Sequence, residues 1–149
     1  MNSTPFSTSY GTNTTVKSID ISTFITGATL SPTPNTSSSY ARYQKIGSIV
    51  QIEFKYVFLT TGTTGNMSIN LPVPINSNYP KPQSVCNCRY VTGTGEVFIG
   101  HYNENTASSI NLVFSTTYGG VPAGFTNLSP KSGLAATDVL TGLIVYEST

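Results

Sequence analysis

The stretch YQKIGSIVQIEFKYVFLTTGTTGNMSINLPVP, residues 43–74, reads as a long strand, a glycine-threonine turn and a second strand. Val50, Ile52, Phe54, Tyr56 and Phe58 recur at every second position, with Gln51, Glu53 and Lys55 between them. Side chains alternate across a strand, so this spacing sends one set to a core and the other to water. Upstream, the strand is expected to begin near Tyr40 and to pass Gly47 as a bulge or bend. Downstream, TTGTTG turns the chain on Gly62 and Gly65, and Met67, Ile69 and Leu71 alternate until Pro72 and Pro74 stop the next strand.

The rest of the chain continues in the same way. Residues 21–30, ISTFITGATL, are expected as a first strand, followed by a linker in which Pro32 and Pro34 forbid a central strand. Residues 85–91 and 96–102 read as a hairpin around TGTG, and NENTA turns the chain into Ile110, Leu112 and Phe114 on one face of a further strand. Residues 118–133 form a long Gly/Pro loop, and residues 139–146 a final strand apolar enough to be central. Pro130, Gly133 and the β-branched Thr137 and Val139 weaken a helical reading of LSPKSGLAATDVL. Seven or eight strands without a convincing helix predict an all-β, antiparallel β-sandwich of jelly-roll-like topology. One domain over residues 21–149 is expected, preceded by a polar, extended arm over residues 1–20 in which Phe6 and Tyr10 are the candidate anchors.

Charged residues make up 9% of the 149, the formal net charge is +1, and Ser, Thr and Asn fill 54 positions. Seven basic residues scattered from Lys17 to Lys131 form no stripe that could neutralise a phosphate backbone, which excludes nucleic acid as an expected partner. So uncharged a surface suits packing against copies of itself. MNSTPFSTSY carries no basic and apolar signal pattern, and no apolar run is long enough to span a bilayer. Synthesis in a host cytoplasm and no membrane partner are therefore expected. The sequons at Asn2, Asn13, Asn35, Asn66 and Asn127 then reflect composition.

Chemistry-bearing motifs are scarce. Cys86 and Cys88, two apart on a strand, point the same way, which is poor geometry for a mutual disulfide, so both are expected as reduced and mostly buried thiols. His101 is the only imidazole, too few for a metal set or a nucleophilic triad. TGTTG and TGTGE open no helix that could hold a phosphate and read as hairpin turns. Among the six acids, Glu96 and Glu104 are the pair that could face each other for glycoside hydrolysis, yet the chain has no Trp to serve as a sugar platform. No catalytic residue, cofactor or metal is expected. Tyr79, Tyr102, Tyr118 and Phe125, in the loops at 76–82, 102–107 and 118–133, are the candidate receptor or partner contacts, since an apolar ring with a polar tip suits a wet interface.

YARYQKIGSIVQIEF, then TTGTTGNMSINLP, a polar hairpin and GLIVYE resemble the β-domain of phage tail-fibre, baseplate and related virion proteins, and the sandwiches of small capsid and decoration proteins of DNA viruses. The matching positions are Tyr43, Lys45, Ile46, Gly47 and Val50, then Ile69, Leu71 and Pro72, and the similarity covers residues 40–75. Two features depart from that pattern: VPINSNYPKP follows the Leu-Pro, and the arm is longer and more polar than a fibre linker. The resemblance implies a trimer and a virion location. The expected function is a non-enzymatic virion structural protein, a minor capsid, decoration or tail-fibre component. It would self-associate and dock to other virion proteins through its arm. The alternative is a host-attachment module that binds a cell-surface glycan or receptor through its loops.

Overall fold

The computed structural model describes residues 15–27, 32–59, 62–63, 67–76, 78, 88–115, 125–126 and 133–149. They form β1 (Lys17–Ser18), α1 (Ile21–Phe24), β2 (Ile25–Gly27), β3 (Tyr40–Ile46), β4 (Ile49–Val57), β5 (Gly62–Thr63), β6 (Met67–Asn70), β7 (Cys88–Val91), β8 (Val97–Thr106), β9 (Ser109–Ser115), β10 (Phe125–Thr126), β11 (Gly133–Leu134) and β12 (Val139–Glu147). The protein is all-β. Nine antiparallel strands lie in the order β1-β3-β4-β12-β7-β8-β9-β6-β2 and curl into a half-barrel, with β10 added on β9 and a separate β5–β11 ladder. β12, expected to be central, lies between β4 and β7.

The alternation that set the fold class holds residue for residue: Val50, Ile52, Phe54, Tyr56 and Phe58 are all buried. The long strand expected from Tyr40 to Phe58, with a bulge or bend at Gly47, is instead a tight hairpin. Gly47, with φ of +60°, and Ser48 close a two-residue turn, and Ile46 pairs with Ile49. A positive φ at the first central position matches the right-handed twist of the flanking strands, and glycine adopts it without steric cost. β4 and β6, joined by the Gly/Thr segment, do not pair with each other. β4 lies between β3 and β12, while β6 lies between β9 and β2.

Residues 21–27 also depart from the strand expected over 21–30; residues 28–30 lie outside the described set. Ile21, Phe24 and Ile25 have helical spacing, and Asp20 caps the turn by accepting from the Ser22 N–H at 2.9 Å and the Ser22 hydroxyl at 2.7 Å. Those two bonds hold the Asp20 carboxyl below its usual range. The short helix has an architectural role. β1 and β2 lie at opposite edges of the sheet, yet only residues 19–24 separate them, a span of at most roughly 25 Å. The curl must therefore bring the two edges together. α1 touches both β3 and β6, Asn70 Nδ2 donates to the Thr23 carbonyl at 2.7 Å, and Ile19 N donates to the Ala41 carbonyl at 2.9 Å. Phe24 is fully buried edge-on to Phe54, with ring centroids 5.1 Å apart. Burying such a side chain contributes roughly 1.5–3 kcal/mol. The sheet thus takes in the last residues of the expected arm, while residues 1–14, with Phe6 and Tyr10, lie outside the described set.

Tyrosine hydroxyls on the core side pin the connections. Tyr56 donates to the Pro32 carbonyl and Tyr146 to the Val73 carbonyl, both at 2.7 Å. Burial pushes both phenols well above their ordinary pKa of 10.0. With the folded-state pKa raised, their contribution is intact below pH 10 and is lost as pH rises, because the unfolded chain releases these protons first. Stability is expected to decline above pH 10 by up to about 1.4 kcal/mol per pH unit for each of the two. Urea midpoints measured against pH give the slope. Tyr56→Phe and Tyr146→Phe should each make it shallower, and an unchanged slope in both variants would place the alkaline sensitivity elsewhere.

Candidate functional site: the outer face of the sheet

With one set of side chains committed to the core, the opposite set forms the outer face, and the strand registers arrange it in rungs. The first rung is Val57, Val139, Val91 and Val97, directly opposite one another across β4, β12, β7 and β8. Beneath each valine, one residue along, lies the inner rung Tyr56, Leu140, Tyr90 and Phe98. Two residues further, Tyr40, Lys55, Thr141, Arg89 and Ile99 align across β3, β4, β12, β7 and β8. Arg42, Glu53 and Leu143 make the next rung, then Gln44, Gln51 and Val145, then Ile46, Ile49 and Glu147 at the hairpin end.

This face has two chemically distinct parts. Over β12, β7 and β8 it is an apolar field, with the valine rung half-buried, Leu143 44% exposed and Ile99 56% exposed. Over β1, β3 and β4 it is polar and hollowed. A depression of about 280 Å³ is lined by Val16, Arg42, Tyr43, Gln44, Gln51 and Glu53. In it, Arg42 donates to Glu53 Oε2 from Nη2 at 2.8 Å and from Nε at 3.2 Å, and the Tyr40 hydroxyl donates to Oε1 at 3.0 Å. The Arg42 guanidinium also lies 5.5 Å from the centre of the Tyr40 ring. Hydrogen bonds from Arg42 and then Tyr40 hold the Glu53 carboxyl below its usual range, while Glu53 raises both partners. A cross-strand pair this exposed adds little stability.

Of the candidate contacts named from sequence, Tyr102 and Phe125 fall among the described residues. Tyr102 lies in the core, 4% exposed, because β8 runs straight through the position read as a loop and turns its side chain to the concave side. Phe125 lies in β10, opposite Ser115 of β9. Tyr79 and Tyr118 lie outside the described residues, as do most of the loops at 76–82 and 118–133. Glu96 and Glu104 do not form a facing pair. Glu96 immediately precedes β8 and Glu104 lies eight residues further along it, roughly 26 Å away at strand rise. Cys88 is buried, and Cys86 lies outside the described residues. Among the described residues, no three His, Cys, Asp or Glu gather as a metal set, and no helix is long and apolar enough to cross a membrane.

Asp138, counted only as one of six acids in the sequence, is fully buried. Its Oδ2 accepts from the Tyr90 hydroxyl at 2.5 Å and from the Ala135 N–H at 2.7 Å, and its Oδ1 accepts from the Gly93 N–H at 2.8 Å. Its own carbonyl accepts from the Phe58 N–H at 2.9 Å. A carboxylate so engaged is a structural brace between the β7–β8 turn and the start of β12. Neighbouring Thr137 has φ of +77°, rare for a β-branched residue, and is held there in part by donation of its N–H to the Phe58 carbonyl at 2.9 Å. The valine rung and the Asp138 brace both depend on pairings distant in sequence, so no local motif signals them.

Comparison with protein-family models, with curated proteins and with solved structures yields no match.

Proposed function

We propose that the chain is a non-enzymatic structural protein of a virion, a minor capsid, decoration or tail-fibre component, that self-associates through the β12–β7–β8 part of its outer face. The observation that carries this reading is the apolar field of Val57, Val139, Val91, Val97, Ile99 and Leu143 on the side of the sheet away from the core. Exposed apolar side chains gathered on one sheet face mark interaction sites, and a low overall charge leaves few groups to desolvate when a second copy covers them. The stems of Lys55 and Arg89 add apolar cover while their charged ends reach water. The virion role, the jelly-roll-like and trimeric form, and docking of other virion proteins by residues 1–20 rest on the resemblance of residues 40–75.

Light scattering on the eluting peak of a sizing column tests the assembly. The expected mass is three times that of the protomer, falling to one protomer when Leu143 and Ile99 are both replaced by lysine. Both side chains already face water, so the circular dichroism spectrum and thermal midpoint should change little. A wild-type monomer at every concentration reached, or an oligomer indifferent to the double substitution, would overturn the interface. Mass spectrometry of purified particles tests the virion role separately.

A further inference from the structure

We infer that the hollow between β1 and the β3–β4 hairpin is a binding site for an uncharged saccharide unit, built from Arg42, Glu53, Gln44 and Gln51 with Val16 as an apolar wall. The inference does not depend on the assembly reading. The hollow lies on the β1–β3–β4 side of the outer face and borders the apolar field only where Glu53 pairs with Leu143.

Its size comes first. About 280 Å³ is just below the usual range for small-molecule sites, room for one sugar ring rather than a peptide or a nucleotide. The donor and acceptor set is the second argument. Glu53 is fixed by Arg42 and Tyr40, so its carboxylate is oriented before any ligand arrives. Arg42 uses two of its five N–H donors on Glu53, leaving others to offer. Gln44 and Gln51 are directly opposite each other, one rung away, and among the described residues neither side-chain amide has a hydrogen-bonding partner. Two amides, a guanidinium edge and a carboxylate therefore face one hollow, on rungs about 7 Å apart. Each hydroxyl of a sugar both donates and accepts, and this set offers both.

Charge selects among ligands. The Arg42 and Glu53 charges cancel, so the lining itself carries no net charge to favour a phosphate, sulfate or carboxylate over a neutral ligand. Val16, 54% exposed beside the polar groups, supplies a surface for the C–H face of a ring. An attachment role would accordingly act through strand faces, not through the loops that carry Tyr79 and Tyr118.

Saturation-transfer difference NMR on the intact protein, with glucose, galactose, mannose and N-acetylglucosamine as separate probes and sialic acid as the charged control, tests the inference. At least one neutral sugar should give a signal that is insensitive to added salt. Replacing Gln44 and Gln51 together by leucine should weaken it about tenfold, and Arg42→Ala should weaken it at least as much. All three positions are at the surface, so an unchanged thermal midpoint separates loss of binding from loss of fold. Absence of signal with every neutral sugar would overturn the assignment, as would binding of sialic acid alone. Loss of signal in Tyr79→Ala or Tyr118→Ala, with the double glutamine variant unaffected, would move the site to the loops and overturn it as well. The light-scattering mass of the glutamine variant should remain that of the wild type.

Discussion

Asp138→Ala is expected to lower the unfolding free energy by about 3–5 kcal/mol, the largest loss expected from any single side chain away from the apolar core. The substitution leaves three buried or part-buried donors, the Tyr90 hydroxyl and the N–H groups of Gly93 and Ala135, without the carboxylate that collects them. Each such orphan costs about 1–3 kcal/mol, and replacing the acceptor alone does not remove the donors' need. The brace also holds two chain reversals in place, since Asp138 and Thr137 exchange backbone hydrogen bonds with Phe58 at the end of β4. Tyr90→Phe removes one donor together with its demand and should cost only about 1 kcal/mol. Urea denaturation of the two variants, with the double substitution to close a cycle, measures the difference. Equal losses in both would show that the Tyr90 bond, and not the three-way brace, carries the effect. Asp138→Asn should fall between them, because one oxygen can still accept while the amide nitrogen confronts a donor.

Gly142→Ala is expected to cost about 2–3 kcal/mol, the range of an overpacked core. Gly142 lies in the middle of β12, flanked by β4 on one side and β7 on the other, so the strand cannot move aside. A methyl group there would collide with the Tyr102 hydroxyl oxygen and would meet two edge carbons of the Phe54 ring at 2.8 and 2.9 Å. Combining Gly142→Ala with Tyr102→Phe removes the closest of these atoms and should recover part of the loss. Thermal midpoints of the single and double variants give the coupling. Strict additivity would mean that the ring of Phe54 alone sets the limit.

These residues show where the sequence was legible. The inward set of β4 and the inward face of β9 follow from period-two alternation, a local property, and each lies where alternation places it. The Val91–Val97 hairpin was equally visible, because its two strands are neighbours in the chain. Local reading failed where one signal competed with another. Gly47 looked like an irregularity in a long strand because apolar alternation resumes immediately after it, and only its positive φ with the Ile46–Ile49 register identifies a hairpin. Ile21, Phe24 and Ile25 carried helical spacing within a segment rich in β-branched residues, and the Asp20 cap decided the conflict. Tyr102 was read as a loop tip because NENTA is polar, whereas β8 continues to Thr106.

By itself the sequence determined that this is an antiparallel β protein, which side of its long strands faces the core, and that its surface carries little charge. The physical reason is that pleating alternates side chains within a single strand, whatever that strand pairs with. Only the tertiary structure decided which strands are neighbours. Val57, Val91, Val97 and Val139 are scattered over more than half the chain and become one rung through the pairings of β4, β12, β7 and β8. Arg42, Glu53, Gln44 and Gln51 become one hollow because a glycine turn folds β3 onto β4 beside β1. Pairing order is set by burial and loop closure summed over the whole chain, so the valine rung belongs to the fold and to no segment of it, whereas the hollow needs one hairpin and the β1 strand beside it.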